Sequence, residues 1–262
     1  MRRVRFPFLI AGLAAAGLAL AACGPRQAPA PAASPEPAGQ GDVGYQAAPM
    51  VRAVQAGGGT LRLEGSAPAN SKVRLATPQG QAVFADAGDK GAWSISLPAS
   101  GEARIFGLSA SAGDRTVQGE GYLLLTPEGE AVLLRAGAGA LRIGRGGKSG
   151  LDAVDFDREG GAVISGRAPA GAALSIHVDG RKMGEGRANA KGRYSIALTQ
   201  QPLSGRRQID VFGDATENAV VIDVTPAPPL SDGPFRTTAV DGGLRIDWMT
   251  PGGGAQSTVL VK

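Results

Sequence analysis

A chain of 262 residues is long enough for one large or two ordinary domains, and 43% apolar with 19% charged residues is a globular rather than a disordered composition. Its 41 glycines and 18 prolines oppose long helices and favour short strands joined by tight turns. The formal charge of +4 shrinks once Arg2, Arg3 and Arg5 are assigned to a removable leader, which leaves 24 basic against 23 acidic residues and gives no electrostatic case for a nucleic acid partner.

The chain begins Met1-Arg2-Arg3-Val4-Arg5, runs through an uncharged stretch rich in Ala and Leu from Phe6 to Leu20, and reaches Leu20-Ala21-Ala22-Cys23-Gly24. A basic start before a short apolar run reads as an export signal, and the run is short for a permanent bilayer span. Cys23 is the only cysteine, which excludes an intrachain disulfide and a cysteine-based metal cluster. Leu-Ala-Ala-Cys-Gly resembles the lipobox of bacterial lipoproteins. The resemblance implies removal of a signal peptide over 1–22, a diacylglycerol on the Cys23 thiol and a further acyl chain, such as palmitate, on the new amino terminus. At about 0.8 kcal/mol per buried CH₂, several chains hold a protein stably in membrane lipid. Gly24, where some such lipoproteins carry an Asp that retains them at the inner membrane, implies outer-membrane placement facing the periplasm.

From residue 23 to 48 the sequence is dominated by Pro, Ala, Gly and Gln, as in Ala28-Pro29-Ala30-Pro31-Ala32-Ala33. This composition cannot supply a core, so a disordered, Pro/Ala-rich linker with polyproline character is expected.

Beyond it the chain repeats itself. Leu63-Glu64-Gly65-Ser66-Ala67-Pro68-Ala69 returns as Ile164-Ser165-Gly166-Arg167-Ala168-Pro169-Ala170, and Lys90-Gly91-Ala92-Trp93-Ser94-Ile95-Ser96-Leu97 returns as Lys191-Gly192-Arg193-Tyr194-Ser195-Ile196-Ala197-Leu198. Ten of the 35 positions from Leu63 to Leu97 are identical at an offset of 101 without a gap. Looser matches pair Ile105-Phe106-Gly107 with Val211-Phe212-Gly213, Leu125-Thr126-Pro127 with Val224-Thr225-Pro226, and Leu141-Arg142-Ile143 with Leu244-Arg245-Ile246. Apolar residues alternate with period two, as in Trp93, Ile95 and Leu97 or Tyr194, Ile196 and Leu198, and turn signals such as Asp89-Lys90-Gly91 and Asp179-Gly180 separate them. An all-β fold of antiparallel sheets follows, since half-apolar sheets must cover one another. The pattern Gly-x-Ala-Pro-Ala, hairpin, Lys-Gly-[Trp/Tyr]-Ser-Ile-x-Leu resembles tandem bacterial immunoglobulin-like modules. It implies two immunoglobulin-like β-sandwich domains, over 49–147 and 148–262. The strand-rich segments from Gly121 to Ile143 and from Val220 to Lys262 have no place in that pattern; a variant sandwich and strands exchanged between the copies fit equally well.

Catalytic, cofactor and metal sites are not expected. The single histidine, His177, alternates with Ile176 and Val178 and is expected at the surface. The carboxylates of Asp152, Asp155, Asp157 and Glu159 lack the spacing of a calcium loop and include Arg158, so this run reads as an interdomain linker leading into a first strand. Trp93, Tyr194 and Trp248 alternate with aliphatic residues and read as core. Gly137-Ala138-Gly139-Ala140 and Gly252-Gly253-Gly254 read as turns, because no Lys-Ser or Lys-Thr follows and no helix opens there. The function expected is that of a non-enzymatic envelope lipoprotein whose modules meet an envelope protein or a cell-wall glycan (peptidoglycan or exopolysaccharide). The alternatives are a dedicated glycan-binding lipoprotein and an assembly factor acting by strand addition through an open Thr258-Val259-Leu260-Val261.

Overall fold

The structure, a computed structural model, describes residues 46–144, 149–199 and 202–262. Cys23, the signal over 1–22 and the linker up to residue 45 lie outside the described residues, where nineteen strands and no helix are found. Every strand pairing is antiparallel.

The first copy contributes β1 (Met50–Gly57), β2 (Thr60–Ser66), β3 (Lys72–Ala76), β4 (Ala82–Asp86), β5 (Ala92–Pro98), β6 (Arg104–Ala112) and β7 (Arg115–Leu125), then the short strands β8 (Ala131–Leu134) and β9 (Leu141–Ile143). They form a three-stranded sheet in the order β1-β2-β5, facing a six-stranded sheet in the order β4-β3-β6-β7-β8-β9. The second copy contributes β10 (Gly150–Asp157), β11 (Ala162–Arg167), β12 (Ala173–Val178), β13 (Arg181–Arg187), β14 (Arg193–Ala197), β15 (Gly205–Gly213) and β16 (Thr216–Val224), then β17 (Phe235–Val240), β18 (Gly243–Met249) and β19 (Ala255–Val261). Its sheets run β14-β11-β10-β19-β18-β17 and β13-β12-β15-β16. Seven strands of each copy share one immunoglobulin-like two-sheet arrangement, and each copy adds its surplus strands to a different place.

The repeat fixes the shared part down to the register. Gly65 pairs with Trp93 and Leu63 with Ile95, just as Gly166 pairs with Tyr194 and Ile164 with Ile196. A bulge interrupts β1 between Val51 and Ala53 and β10 between Leu151 and Ala153. The glycine of Gly-x-Ala-Pro-Ala is dictated by crowding. A Cβ on Gly65 would stand 2.1 Å from the Met50 carbonyl oxygen and 2.4 Å from the Trp93 ring, and one on Gly166 would stand 2.2 Å from the Gly150 oxygen and 2.5 Å from the Tyr194 hydroxyl. Trp93 and Tyr194 are both core residues, 4% and 2% exposed.

After Leu97 the sequence matches mislead. Leu75 pairs with Leu108 and Ile176 with Val211, so Val211 is equivalent to Leu108, three residues beyond the position that identity selects. The burial agrees, since Phe106 is buried while Phe212 is exposed. Leu141–Ile143 forms β9 beyond β7, whereas Leu244–Ile246 lies in β18 on the opposite sheet, so these two segments are not equivalent. No sheet mixes strands of the two copies, which disposes of exchange. Asp152–Asp157 is no linker: it is part of β10, hydrogen-bonded on both sides in its sheet. Thr258–Val261 is no open edge, because β19 pairs with β10 and with β18.

Each sandwich has its own core, around Leu63, Val73 and Trp93 in the first and around Ile164, Ile176 and Tyr194 in the second. A third core lies between the two six-stranded sheets: Ile105, Leu124, Val132 and Leu134 from one side meet Ala153, Ile246, Trp248 and Leu260 from the other. Trp248, fully buried, sits here rather than inside either sandwich, with Tyr122 edge-on at 6.1 Å. Its indole N–H donates to Thr258 Oγ1 (3.1 Å), and the Thr258 hydroxyl donates to Asp155 Oδ1 (2.6 Å). The Gln256 amide donates to the same oxygen (3.1 Å), and the Ala140 N–H donates to Asp155 Oδ2 (2.8 Å). The turn over 137–140 is therefore a docking loop as well as a turn. Gly139 has φ near +80°, and a Cβ there would stand 2.7 Å from Ser195 Oγ. Arg142, also buried, donates to Glu130 in its own copy and to the Val261 carbonyl of the other.

Two outcomes follow. Trp248→Ala empties the third core and costs about 3–5 kcal/mol, read as a lowered urea midpoint. Burial pushes the Asp155 carboxyl up to about 6 against the hydrogen bonds and the Arg135 charge that favour its ionised form. The folded chain thus holds a proton that the unfolded chain releases near pH 3.8. Stability relative to Asp155→Asn is fully present below about pH 4 and falls as pH rises to about 6, by about 3 kcal/mol; urea titrations of both proteins at the two ends measure it.

Candidate functional site

The mismatch in strand number within the first sandwich creates a concavity. Strands stand about 4.8 Å apart, so β8 and β9 carry the six-stranded sheet roughly 10 Å past β7. The facing sheet ends at β1, whose Val51 and Val54 pack against the same core as Ile143, so the overhang is covered only in part. Cross-strand pairing lines up Leu123, Leu133 and Leu141 in one row and Leu125, Ala131 and Ile143 in the next, both facing the core side. Leu123 and Leu125 are fully buried, while Leu133, Leu141 and Ile143 are only partly covered.

The space left between this overhang and β1 measures about 510 Å³. Met50 and Val51 of β1 complete its apolar wall, and the turn joining β13 to β14 closes one end. That turn is shaped by Asn189, whose side-chain oxygen accepts the Lys191 N–H (2.9 Å) and the Arg193 N–H (3.1 Å). Arg52, Lys191, Arg193 and Glu120 are the charged residues lining the space. The Glu120 carboxylate is already 3.9 Å from Arg135. Burial first, then the like charge of Arg167, pushes the Arg193 guanidinium below its ordinary range, although a guanidinium stays charged in a protein. A largely apolar trough with three cations and one anion is equipped to hold an apolar body bearing negative charge.

The second copy also has an overhang, but on its other sheet, and fills it differently. Across β10, β19, β18 and β17 the rows run Phe156, Ser257, Asp247, Arg236 and Val154, Val259, Arg245, Thr238. Burial alone would raise the Asp247 carboxyl; donors from Ser257 (2.7 Å), Arg236 (2.9 Å) and Arg245 (2.8 Å) instead hold it below the usual carboxylate range. This face satisfies its own polar groups.

The residues singled out in the sequence do not converge on a site. Cys23 lies outside the described residues. His177 is half-buried on the outer face of its sheet, edge-on to Phe212 at 5.1 Å. Asp155 is bound in the third core, Asp152 faces Arg167 at 3.5 Å, and Asp157 accepts the Gly161 N–H at 2.8 Å, so these carboxylates diverge. Leu133, Leu141, Ile143, Lys191 and Arg193 were not anticipated as site residues. The one available signal was Leu123-Leu124-Leu125, since a run without alternation marks a strand covered on both faces.

No family model matches the chain, and no curated protein matches it. Among solved structures it is similar to the BSP domain of a biofilm-associated protein, with 14% identity, a TM-score of 0.25 and coverage of 69% of this chain and 30% of that one. It is also similar to the central fibronectin-III array of RIM-binding protein (18% identity, TM-score 0.29, 77% of this chain and 71% of that one). A third is invasin, a bacterial integrin-binding protein (13% identity, TM-score 0.21, 83% of this chain and 54% of that one). The chain thus spans under a third of the first of these. At such scores the fold assignment rests on the strand pairing given above.

The overhang makes a graded expectation across one row. Leu123→Ala costs about 2–5 kcal/mol, and Leu141→Ala, with less apolar area covered, changes stability by under about 1 kcal/mol; urea denaturation of the two variants reads the difference.

Proposed function

We propose that this chain is a non-enzymatic, lipid-anchored binding protein of the bacterial envelope. Acylated Cys23 holds it in the outer membrane facing the periplasm, the linker to residue 48 gives reach, and the paired sandwiches form the binding body. The lipobox-like Leu20-Ala21-Ala22-Cys23-Gly24 supports the anchor. The single observation that carries the binding reading is the partly covered apolar trough of the first sandwich, whereas the overhang of the second copy closes its face with polar groups of its own.

Two narrower expectations gain no support. Glycan binding gains nothing from Trp93 and Tyr194, whose rings lie inside the cores as their alternation implied. Strand addition through Thr258–Val261 finds that segment paired on both sides.

The anchor is tested by Cys23→Ala in cells. The unaltered chain fractionates with membranes, and its mass exceeds that of the polypeptide by the acyl groups; the variant loses both properties. A variant that stays membrane-bound without acyl mass overturns the anchor.

A further inference from the structure

We propose that the trough between β1 and the β8–β9 overhang binds a phosphate-headed amphiphile with one acyl chain, its tail along Leu133, Leu141 and Ile143 and its head at Lys191 and Arg193. This rests on reading the chain as a binding protein and adds the class of ligand.

Three observations converge. The first is the partly covered apolar surface, which gains free energy from contact with a hydrocarbon chain in proportion to the area removed from water. Met50, 37% exposed at the edge of the trough, adds an unbranched side chain that adapts to such a tail. The second is the volume, about 510 Å³, inside the span of roughly 300–1,000 Å³ typical of small-ligand sites. The third is charge. Lys191 stands on the turn before β14 and Arg193 opens that strand, Arg52 lies on β1, and the single carboxylate among the lining residues is drawn to Arg135. Arg193 makes no direct ion pair among the described residues; the Asp152 carboxylate attracts it, but Arg167 and Arg135 add more positive charge around it. A half-buried guanidinium with no direct ion pair, beside a lysine, matches a phosphate, whose oxygens accept paired N–H donors and whose charge exceeds one. A neutral hydrophobe leaves these cations without a counter-charge, and a free phosphate leaves the apolar wall wet. Only an amphiphile answers both.

The test uses the full chain with Cys23→Ser, so that no acyl group of its own competes, purified without detergent. Isothermal titration calorimetry compares dodecyl phosphate, dodecyl maltoside and inorganic phosphate below the micellar range. Saturable binding of one dodecyl phosphate per chain, at least about tenfold tighter than either control, is the expected result. Lys191→Glu, at an exposed position, weakens it about tenfold with an unchanged melting curve, and Leu141→Glu removes it. Equal binding of dodecyl maltoside, an unchanged affinity in Lys191→Glu, preferential capture of an acidic peptide, or no binding of dodecyl phosphate overturns the assignment. None of these outcomes depends on acylation of Cys23, so failure here and failure of the anchor remain separate results.

Discussion

The central strands of both six-stranded sheets answer to one constraint: both of their faces must be covered. A sheet in an isolated sandwich buries one face and shows the other to water, which gives alternating sequence. The two large sheets instead have a sandwich core on one face and the third core on the other. Leu123, Leu124 and Leu125 are consequently all buried, with Leu124 turned toward the third core and its neighbours toward the first. The stretch from Gln256 to Val261 is buried at every residue for the same reason. Two copies of a duplicated module have thereby become one compact unit.

Apolar contact alone would let the two sheets slide, because hydrophobic burial is non-directional. The directional element is the buried carboxylate of Asp155, gripped by Thr258 and Gln256 from its own sheet and by the Ala140 N–H from the other copy. Burying it is costly, and three donors offset that cost only when the 137–140 loop is seated correctly. Ser165 and Ser195 extend the grip by donating to the Ala140 and Ala138 carbonyls. The loop's Gly-Ala-Gly-Ala composition follows, since larger side chains would hold the copies apart.

Sequence alone carried the reading as far as the repeat was gapless. From Leu63 to Leu97, identity at a fixed offset located the equivalent strands, the equivalent crowded glycines and the two core aromatics. It failed at Ile105 because, in a chain so rich in Gly and Ala, a short match such as Phe-Gly occurs by chance. The true equivalence of Leu108 with Val211 is carried only by burial and pairing. Asp152–Asp157 looked like a solvated connector because closely spaced carboxylates usually are. Two of its three carboxylates are buried, one in a network with two donors more than a hundred residues away in the chain. The trough was illegible for a different reason: it arises from a difference in strand number between facing sheets, which no local spacing records.

The two copies solve the same surplus in opposite ways, and that asymmetry locates function. Among the described residues, strands added beyond a three- or four-stranded partner sheet leave a face that this sheet covers only in part. In the second copy that face became Arg236, Arg245, Asp247 and Ser257, a closed set of donors and acceptors that has no need of a further ligand. In the first copy it stayed leucine and isoleucine, with cations lent by a turn of the other sandwich. Covering such a face with polar residues was open to the same duplicated scaffold and was carried out once. An apolar trough kept beside unpaired positive charge, on a body whose joint is locked, is therefore a retained surface rather than a defect of packing.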